Sequence, residues 1–417
     1  MRRIILNIML LCWSIAAVAT SETYTVVISL DGCRWDYPQW YNTPFFDRMA
    51  NEGTASSLIP CFPSKTFPNH YSLATGLTPE HHGLIANEFM DCETGYDFTL
   101  SNRIMKKDPK YFGGEPIWLT AQRQGLRTAI FYWAGSDVKI HNSYPDTYLD
   151  YDQKPRLTLE QRCNKVIECL QRSKHKRPQL IMVYMNEPDK SGHNYGPHSR
   201  ETRRAVERMD SLMGNLYSRI TQLPIGKQVN FIVLSDHGMA WVDQSHKIEL
   251  RPLLGNLPYK AYGSVPVNIY ASWDNVEQHE ATVDSICQRL QGVPHLRAWR
   301  KEQVPAYLHY TEHGCIGDVV AVPDLGWVVY DKPINSGGMH GYDPAYTDMW
   351  AMFRAIGPNI RHAQVKPFRN VSVYALLCNL LGITPAENDG CIDDVKSIIK
   401  ANEIAIQTTC KSMRLPR

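Results

Sequence analysis

The residues that invite a chemical reading stand where apolar segments stop. Ile28-Ser-Leu-Asp31-Gly32 runs from a β-branched stretch into an aspartate. Tyr184-Met-Asn-Glu187-Pro-Asp189-Lys-Ser-Gly-His193 and Leu234-Ser-Asp236-His237-Gly238 repeat the pattern, and Gly337-Gly-Met-His340-Gly sets one more histidine in a glycine-rich loop. Aspartate and histidine without cysteine favour zinc or another borderline divalent cation over a structural thiolate site. Asp189 and His193 are spaced i, i+4, so one helical turn puts both on one face. Asp236 and His237 are adjacent and share a metal only within a turn. Pro63-Ser-Lys-Thr66-Phe-Pro68-Asn-His reads as a loop entering a short helix, with Thr66 near its N-cap. There a metal-activated hydroxyl would meet free N–H groups that attract an anion. Each piece has a plainer reading: an aspartate after a strand caps a turn, Thr66 is a simple cap, a loop histidine is solvated. Their joint occurrence points to one metal-dependent site able to act on an ester.

The elements that must position these residues alternate in type. Apolar segments at Thr25–Leu30, Thr128–Trp133, Leu180–Met185 and Phe231–Ser235 are separated by helical patterns, among them Thr43–Glu52, Ile117–Gln124, Leu157–Arg172 and Glu201–Leu223. That order implies an α/β fold, a mostly parallel central sheet with helices on both faces. Ligands of such sheets bind beyond the carboxyl ends of the strands, so three acid-bearing ends can converge. From about Trp241 to Ser336 the pattern changes to short strands (Val265–Tyr270, Val319–Val322, Gly326–Tyr330) and one helical run near Val283–Leu290. This reads as a small inserted α+β subregion at about 241–336 of a single catalytic domain, 20–417. Met349–Ala355 returns to the sheet, and Val373–Leu381 is a late helix.

Composition limits the partners. The 417 residues hold 44 Lys+Arg and 42 Asp+Glu. Arg2 and Arg3 account for the excess, so the rest is balanced at 42 against 42. No polybasic arm or acidic tail exists, and no nucleic-acid-binding surface is evident. Arg2-Arg3, the apolar Ile4–Val18 and Ala17-Val18-Ala19 form an export signal expected at residues 1–19. No later stretch is long and apolar enough to span a bilayer, so no transmembrane anchor is expected after signal cleavage. The mature protein is expected to be exported, periplasmic or secreted. Without Cys12 the 11 cysteines become an even set, compatible with disulfides. Cys163 and Cys169 lie about 9 Å apart on a helix and cannot bridge; Cys378 with Cys391 is an expected loop staple. Asn370-Val-Ser372 is a glycosylation acceptor in a eukaryotic host.

Beyond these single features the chain resembles the nucleotide pyrophosphatase/phosphodiesterase (type I phosphodiesterase) family of the alkaline phosphatase superfamily. The resemblance runs through Leu30-Asp31-Gly-Cys-Arg34-Trp-Asp-Tyr37, Lys65-Thr66-Phe-Pro-Asn-His-Tyr71, Gly83-Leu-Ile-Ala-Asn87 and Trp133-Ala-Gly-Ser-Asp137. It continues through Glu187–Pro197, Ser235-Asp-His-Gly-Met239 and Gly338-Met-His-Gly-Tyr342. It implies an alkaline-phosphatase-like fold and two Zn2+ per chain. Asp189, His193 and His340 match the ligands of one zinc. Asp31, Asp236 and His237 match those of the other, which also holds the Thr66 oxygen. The implied reaction cleaves phosphodiester or pyrophosphate bonds of nucleotides to nucleoside 5′-monophosphates through a covalent threonine-phosphate intermediate. Asn87 matches a donor to a non-bridging phosphate oxygen.

Phe67, Tyr148 and Tyr184 match walls of a nucleobase pocket in relatives. Cys33 replaces the aromatic usual after Asp-Gly, which should alter packing beneath the site. No phosphate-clamping arginine stands near Thr66, which favours a diester over a monoester. The rival readings are a lysophospholipid or glycerophosphodiester phosphodiesterase, a phosphomonoesterase on the same site, and an inactive metal-binding surface protein.

Overall fold

Unbroken apolar segments form strands covered on both faces. The structure, a computed structural model, describes residues 23–272 and 275–400; the expected export signal lies outside them. The central sheet contains β1 (Tyr24–Leu30), β2 (Thr54–Ile59), β3 (Thr128–Phe131), β4 (Thr147–Leu149), β5 (Leu180–Met185), β6 (Val229–Leu234) and β7 (Ala351–Ile356), in the order β2-β7-β6-β1-β5-β3-β4. β1 pairs in parallel with both β5 and β6, and β3 in parallel with β5 and β4. β7 alone among these runs antiparallel, between β6 and β2. Two short strands, Ala363–Gln364 and Phe368–Arg369, extend β2 in parallel. The sheet is therefore mixed, and mostly parallel as the strand–helix alternation implies.

Alternate side chains serve opposite cores. Val26, Ile28 and Leu30 pack on one side of β1 and Val27 on the other. The first side is closed by α1 (Pro44–Glu52), the second by α2 (Thr66–Thr75) and α3 (Ile117–Arg123). α4 (Leu159–Leu170), α5 (Asp189–Tyr195) and α6 (Arg200–Thr221) follow, with α4 and α6 packed beside α1. α7 (Val276–Leu290) belongs to the excursion described below, and α8 (Ser372–Leu381) packs beside α2. Local chemistry sets the helix ends. Thr158 and Gln161 form a capping box on α4, and Ser199 caps α6. Pro44 opens α1 without an N–H to satisfy; the next two donors, of Phe45 and Phe46, reach the buried carboxylate of Asp210 on α6.

β2 was not legible as a strand. Its sequence, Thr-Ala-Ser-Ser-Leu-Ile, is half polar yet wholly buried. Ser56 Oγ donates to the carbonyls of Val365 and Lys366, each at 3.0 Å, which removes the desolvation cost of a buried hydroxyl.

After β6 the chain makes a long excursion before returning in β7. Tyr259–Tyr262, Val267–Ala271, Val319–Pro323 and Leu296–Arg300 form, in that spatial order, an antiparallel sheet. α7 covers it over a separate core containing Val267, Ile269, Val283, Ile286 and Val319. α7 begins earlier than its apolar pattern suggests because Asn275 caps it through the Gln278 N–H. Of Gly326–Tyr330 only Val328–Val329 is strand.

The cysteines differ from expectation. Cys92 and Cys315 are bonded, 223 residues apart in sequence, and tie the Glu88–Met90/Asp97–Thr99 hairpin to the excursion. Cys378 is a free thiol in the core face of α8, and Cys391 is disulfide-bonded but not to it. With Cys378 turned into the core and Cys391 engaged elsewhere, the expected staple does not form. Cys163 and Cys169 are free, as their helical spacing requires. Asn370 is fully buried and its amide donates to Asn69, so it offers no accessible glycan acceptor.

Candidate active site

Three strand ends deliver the acids to one rim of the sheet. Asp31 follows β1, and its N–H donates to the Met185 carbonyl at the end of β5. Gly32 adopts φ +66°, and a Cβ there would lie 2.9 Å from the Asp189 Cα and Cβ. Only glycine lets α5 approach this closely, and the Asp189 N–H donates to the Asp31 carbonyl at 2.8 Å. Asp189 opens α5 and His193 sits one turn on, with Nε2 3.4 Å from Asp189 Oδ1. Asp236 and His237 leave β6, where Gly238 lies so close to the Asp348 carbonyl that a Cβ could not fit. His340 arrives from the far end of the excursion. Its Nε2 lies 3.1 Å from His193 Nε2, and its ring stacks on His237 at 3.6 Å between centroids.

The donor atoms form two adjoining groups. Asp31, Asp236 and His237 make one, with His237 Nε2 3.4 Å from Asp31 Oδ1 and 3.0 Å from Asp236 Oδ2. Asp189, His193 and His340 make the other, with His340 Nε2 3.7 Å from Asp189 Oδ1. His237 also lies within 4.8 Å of the Asp189 and His340 donor atoms, so it borders both.

This set fits divalent cations on its own chemistry. His193, His237 and His340 each place Nδ1 2.8 Å from a backbone carbonyl, of Gly338, Gly238 and Ser64. Imidazoles that donate there present bare Nε2 lone pairs inward, the arrangement found behind metal-bound histidines. Asp189 Oδ1 and Asp236 Oδ2 are buried and accept no hydrogen bond. Converging lone pairs and buried carboxylate oxygens that accept no hydrogen bond are costly unless cations join them.

The electrostatics follow from the same crowding. Burial, with Asp236 and Asp189 close by, pushes Asp31 well above the usual carboxylate range, although Tyr184 donates its hydroxyl to Oδ2 at 2.6 Å. Burial opposes ionisation of Asp236 too, but His237 and His70 outweigh it and hold this carboxyl well below its ordinary range. Burial, then His237, Lys65 and His193, push His340 down. Burial brings Lys65 to about 8 against the pull of Asp189 and Glu88, and its Nζ donates to the His340 carbonyl at 2.7 Å.

Thr66 is the first residue of α2, directly after the N-cap Lys65. Its Oγ lies 3.0 Å from His237 Nε2 and donates toward Asp31 Oδ1 at 3.4 Å. Asn87 Oδ1 accepts from the Phe67 N–H at 3.2 Å, which leaves its amide hydrogens as donors beside Thr66. Sequence reasoning missed the supports of this helix. Asn69 amide donates to the carbonyls of Pro63 and Lys65, and His70 bonds Ser29 Oγ at 2.8 Å and the Thr66 carbonyl at 2.9 Å. Both stood in the Lys65–Tyr71 block, where their adjacency to Thr66 was the available signal.

A pocket of about 390 Å³ opens from Asp31, Thr66, Asn87, Asp189, His193 and His340. Phe67 and Tyr184 line it as expected, joined by Leu100, Tyr132, Trp133 and Tyr151. Tyr148 does not line it. That residue sits at the centre of edge strand β4, 38% exposed, and stacks on Tyr144 at 4.9 Å. Tyr151, three residues later, packs edge-on against Tyr184 and takes the wall position expected of Tyr148. Cys33 lies buried beneath the site, its N–H donating to Ser235 Oγ. The far wall carries Lys106, Asp137, Asp152 and Arg156.

A family model for type I phosphodiesterase / nucleotide pyrophosphatase matches residues 25–343. The chain is 33% identical over 388 residues to ectonucleotide pyrophosphatase/phosphodiesterase family member 1 of Homo sapiens, covering 90% of this chain and 42% of that protein. It is 34% identical over 389 residues to the venom phosphodiesterase CdcPDE of Crotalus durissus collilineatus, covering 90% and 46%. The chain thus spans less than half the length of these relatives. Among solved structures, human ectonucleotide pyrophosphatase/phosphodiesterase 5 superposes with TM-score 0.85 at 31% identity, covering 91% of this chain and 100% of that one. An inactive threonine-to-alanine variant of the murine protein, in complex with AMP, gives 0.84 at 32% identity with the same coverage.

Proposed function

The chain belongs to the type I phosphodiesterase / nucleotide pyrophosphatase family, and from that premise we propose that it is an exported metal-dependent hydrolase of nucleotide phosphodiester and pyrophosphate bonds. In this reading two zinc ions bind per chain, one at Asp189, His193 and His340 and one at Asp31, Asp236 and His237. The observation that carries it is the Thr66 hydroxyl, set at the head of α2 and 3.0 Å from His237 Nε2, where the candidate ligands meet an aromatic pocket. Divalent cations at such ligands supply the charge that lowers a hydroxyl pKa and neutralises phosphate oxygens. Thr66 Oγ, its proton passing to solvent, forms a bond to phosphorus in line with the departing oxygen, which leaves with its electron pair and takes up a proton from solvent. Water then splits the threonine-phosphate, restoring the hydroxyl and releasing a nucleoside 5′-monophosphate. Asn87 and the Thr66 N–H donate to the phosphate oxygen on which charge develops. Phe67, Tyr151 and Tyr184 supply faces and edges for a base. The AMP held by the inactive murine relative supports the same product class here.

A choline ester is the nearest rival, since Tyr132, Trp133 and Tyr151 with Asp137 and Asp152 could form a cage for a quaternary ammonium. Lys106 pairs with Asp152 at 2.7 Å and Lys107, which also pairs with Asp150, lies 3.3 Å from Asp137, so each of those acids already has a lysine beside it. The deciding experiment compares nitrophenyl thymidine monophosphate, nitrophenyl phosphate and nitrophenyl phosphocholine, with metal analysis of the mature protein. The nucleotide ester should be turned over fastest with two zinc ions bound; a nucleotide ester that is the poorest of the three overturns the reading.

A further inference from the structure

The far wall of the pocket carries one cation that no described residue neutralises. Lys106 pairs with Asp152, and Lys107 with Asp150 and Asp137. Arg162 donates to the Leu157 and Tyr184 carbonyls beneath the wall. Arg156 is different. Gln153, Lys154 and Pro155 before it are exposed, whereas Arg156 folds back to half-burial and lines the pocket. Its Nε donates to the Tyr151 carbonyl, and its guanidinium lies over the Tyr151 ring, Cζ 3.8 Å from the centroid. No carboxylate among the described residues forms an ion pair with it, and its two terminal nitrogens have no protein partner there.

A guanidinium stacked in this way spends its face on the ring and keeps its in-plane N–H fork for an anion. Fixing Nε also removes much of the rotamer freedom that an anion would otherwise have to restrain. The neighbouring ring of Tyr151 meets Tyr184 edge-on at 5.8 Å, and Tyr184 bonds Asp31. Arg156 therefore stands at the opposite end of an aromatic row from the reacting phosphate, on the side where the nucleoside of a bound nucleotide would lie.

We propose that Arg156 is a specificity-determining residue that recognises a second anionic group on the nucleoside side of the scissile bond, a phosphate on the ribose. The inference rests on the nucleotide reading given above. It makes the pocket selective for pyrophosphates whose nucleoside carries a 2′- or 3′-phosphate over the same molecules without it.

Two natural pairs differ by that one group: NADP and NAD for the 2′ position, coenzyme A and its dephospho form for the 3′ position. Steady-state kinetics on all four, with chromatographic assay of the released monophosphate or bisphosphate, give the ratio of kcat/KM within each pair. Charge-assisted hydrogen bonds of this kind predict a ratio of about tenfold or more in at least one pair, carried by KM. The pair that gives it identifies the phosphate position. Arg156→Ala should bring that ratio to near one and Arg156→Lys should keep part of it. Loss of mere support for Tyr151 would lower both members of a pair alike and leave the ratio unmoved. Ratios near one in both wild-type pairs, or a preference that survives Arg156→Ala, overturn the assignment while leaving the nucleotide reading intact. Failure to cleave any of the four overturns that reading and this inference with it.

Discussion

At one end of the pocket Asp189 Oδ1 and Asp236 Oδ2 are buried without a donor and imidazole lone pairs face one another. At the other end Lys106 meets Asp152 and Lys107 bridges Asp150 and Asp137. Both ends concentrate ionisable groups over a few ångströms, yet the second, Arg156 apart, balances its three aspartates with Lys106, Lys107 and the nearby Arg103. Residual repulsion in a folded chain marks a place where something else must bind, while internal pairing marks a wall that is stable without a ligand. Thr66 and Asn87 belong to the unbalanced end, and the aromatic row connects it to the balanced one.

The sharpest break in this comparison comes from removing the group that the unbalanced end presents. Thr66→Ala should reduce turnover at least about 10⁴-fold, on the scale seen for lost nucleophiles, with metal content by elemental analysis unchanged. Full activity would end the nucleophile assignment. Asn87→Ala should cost about 2.7–4 kcal/mol of transition-state stabilisation, read in kcat, if its amide acts as an oxyanion donor. Chelation tests the imbalance itself. Removing metal should lower thermal stability by an amount that grows with the free-metal concentration before removal, about 2.7 kcal/mol when that concentration was 100 times Kd. A melting temperature indifferent to chelator would mean that the facing lone pairs are tolerated without cations.

Smaller effects are expected toward the other end. Phe67→Ala should cost about 1–3 kcal/mol in kcat/KM for a nucleotide ester, the usual worth of a base–aromatic stack, and much less for nitrophenyl phosphate. Lys107→Met probes the balanced wall. Burial opposes ionisation of Asp150, but Lys107 and the Asp152 N–H outweigh it and hold that carboxyl at about 2. A depressed carboxyl stabilises the fold above its ordinary pKa and ceases to do so as pH falls through about 2. Denaturant titration should therefore find the variant weaker by about 1 kcal/mol or less at pH 7, the gap closing in strong acid.

Much of the unbalanced end was legible in the chain because its chemistry is local. Asp31, Asp189 and Asp236 stand at the ends of apolar strands, and the helical spacing of His193 from Asp189 is preserved in α5. The balanced wall was not legible. Lys106 and Asp152 are far apart in sequence, and nothing in either neighbourhood reveals the partner. Motif matching names Tyr148 for the aromatic wall and leaves Tyr151 unconsidered, because it carries no information on which face of an edge strand meets solvent. β2 and the Cys92–Cys315 bond failed for a related reason: hydroxyl partners and long-range pairings are properties of the folded chain.

The return of the chain in β7 has a consequence for synthesis. Five of the six candidate ligands have been made once His237 is reached, but His340 lies at the far end of the excursion, just ahead of the strand that closes against β6. A nascent chain that has emerged only part-way through the excursion lacks both this ligand and the strand that seals the sheet beside it. A complete candidate ligand set thus requires synthesis through residue 340, and fragments cut short between His237 and His340 would carry Thr66 and Asn87 with five of the six candidate ligands. The candidate site is thus gathered from both sides of the excursion, and its ligand set closes only after the excursion has been made.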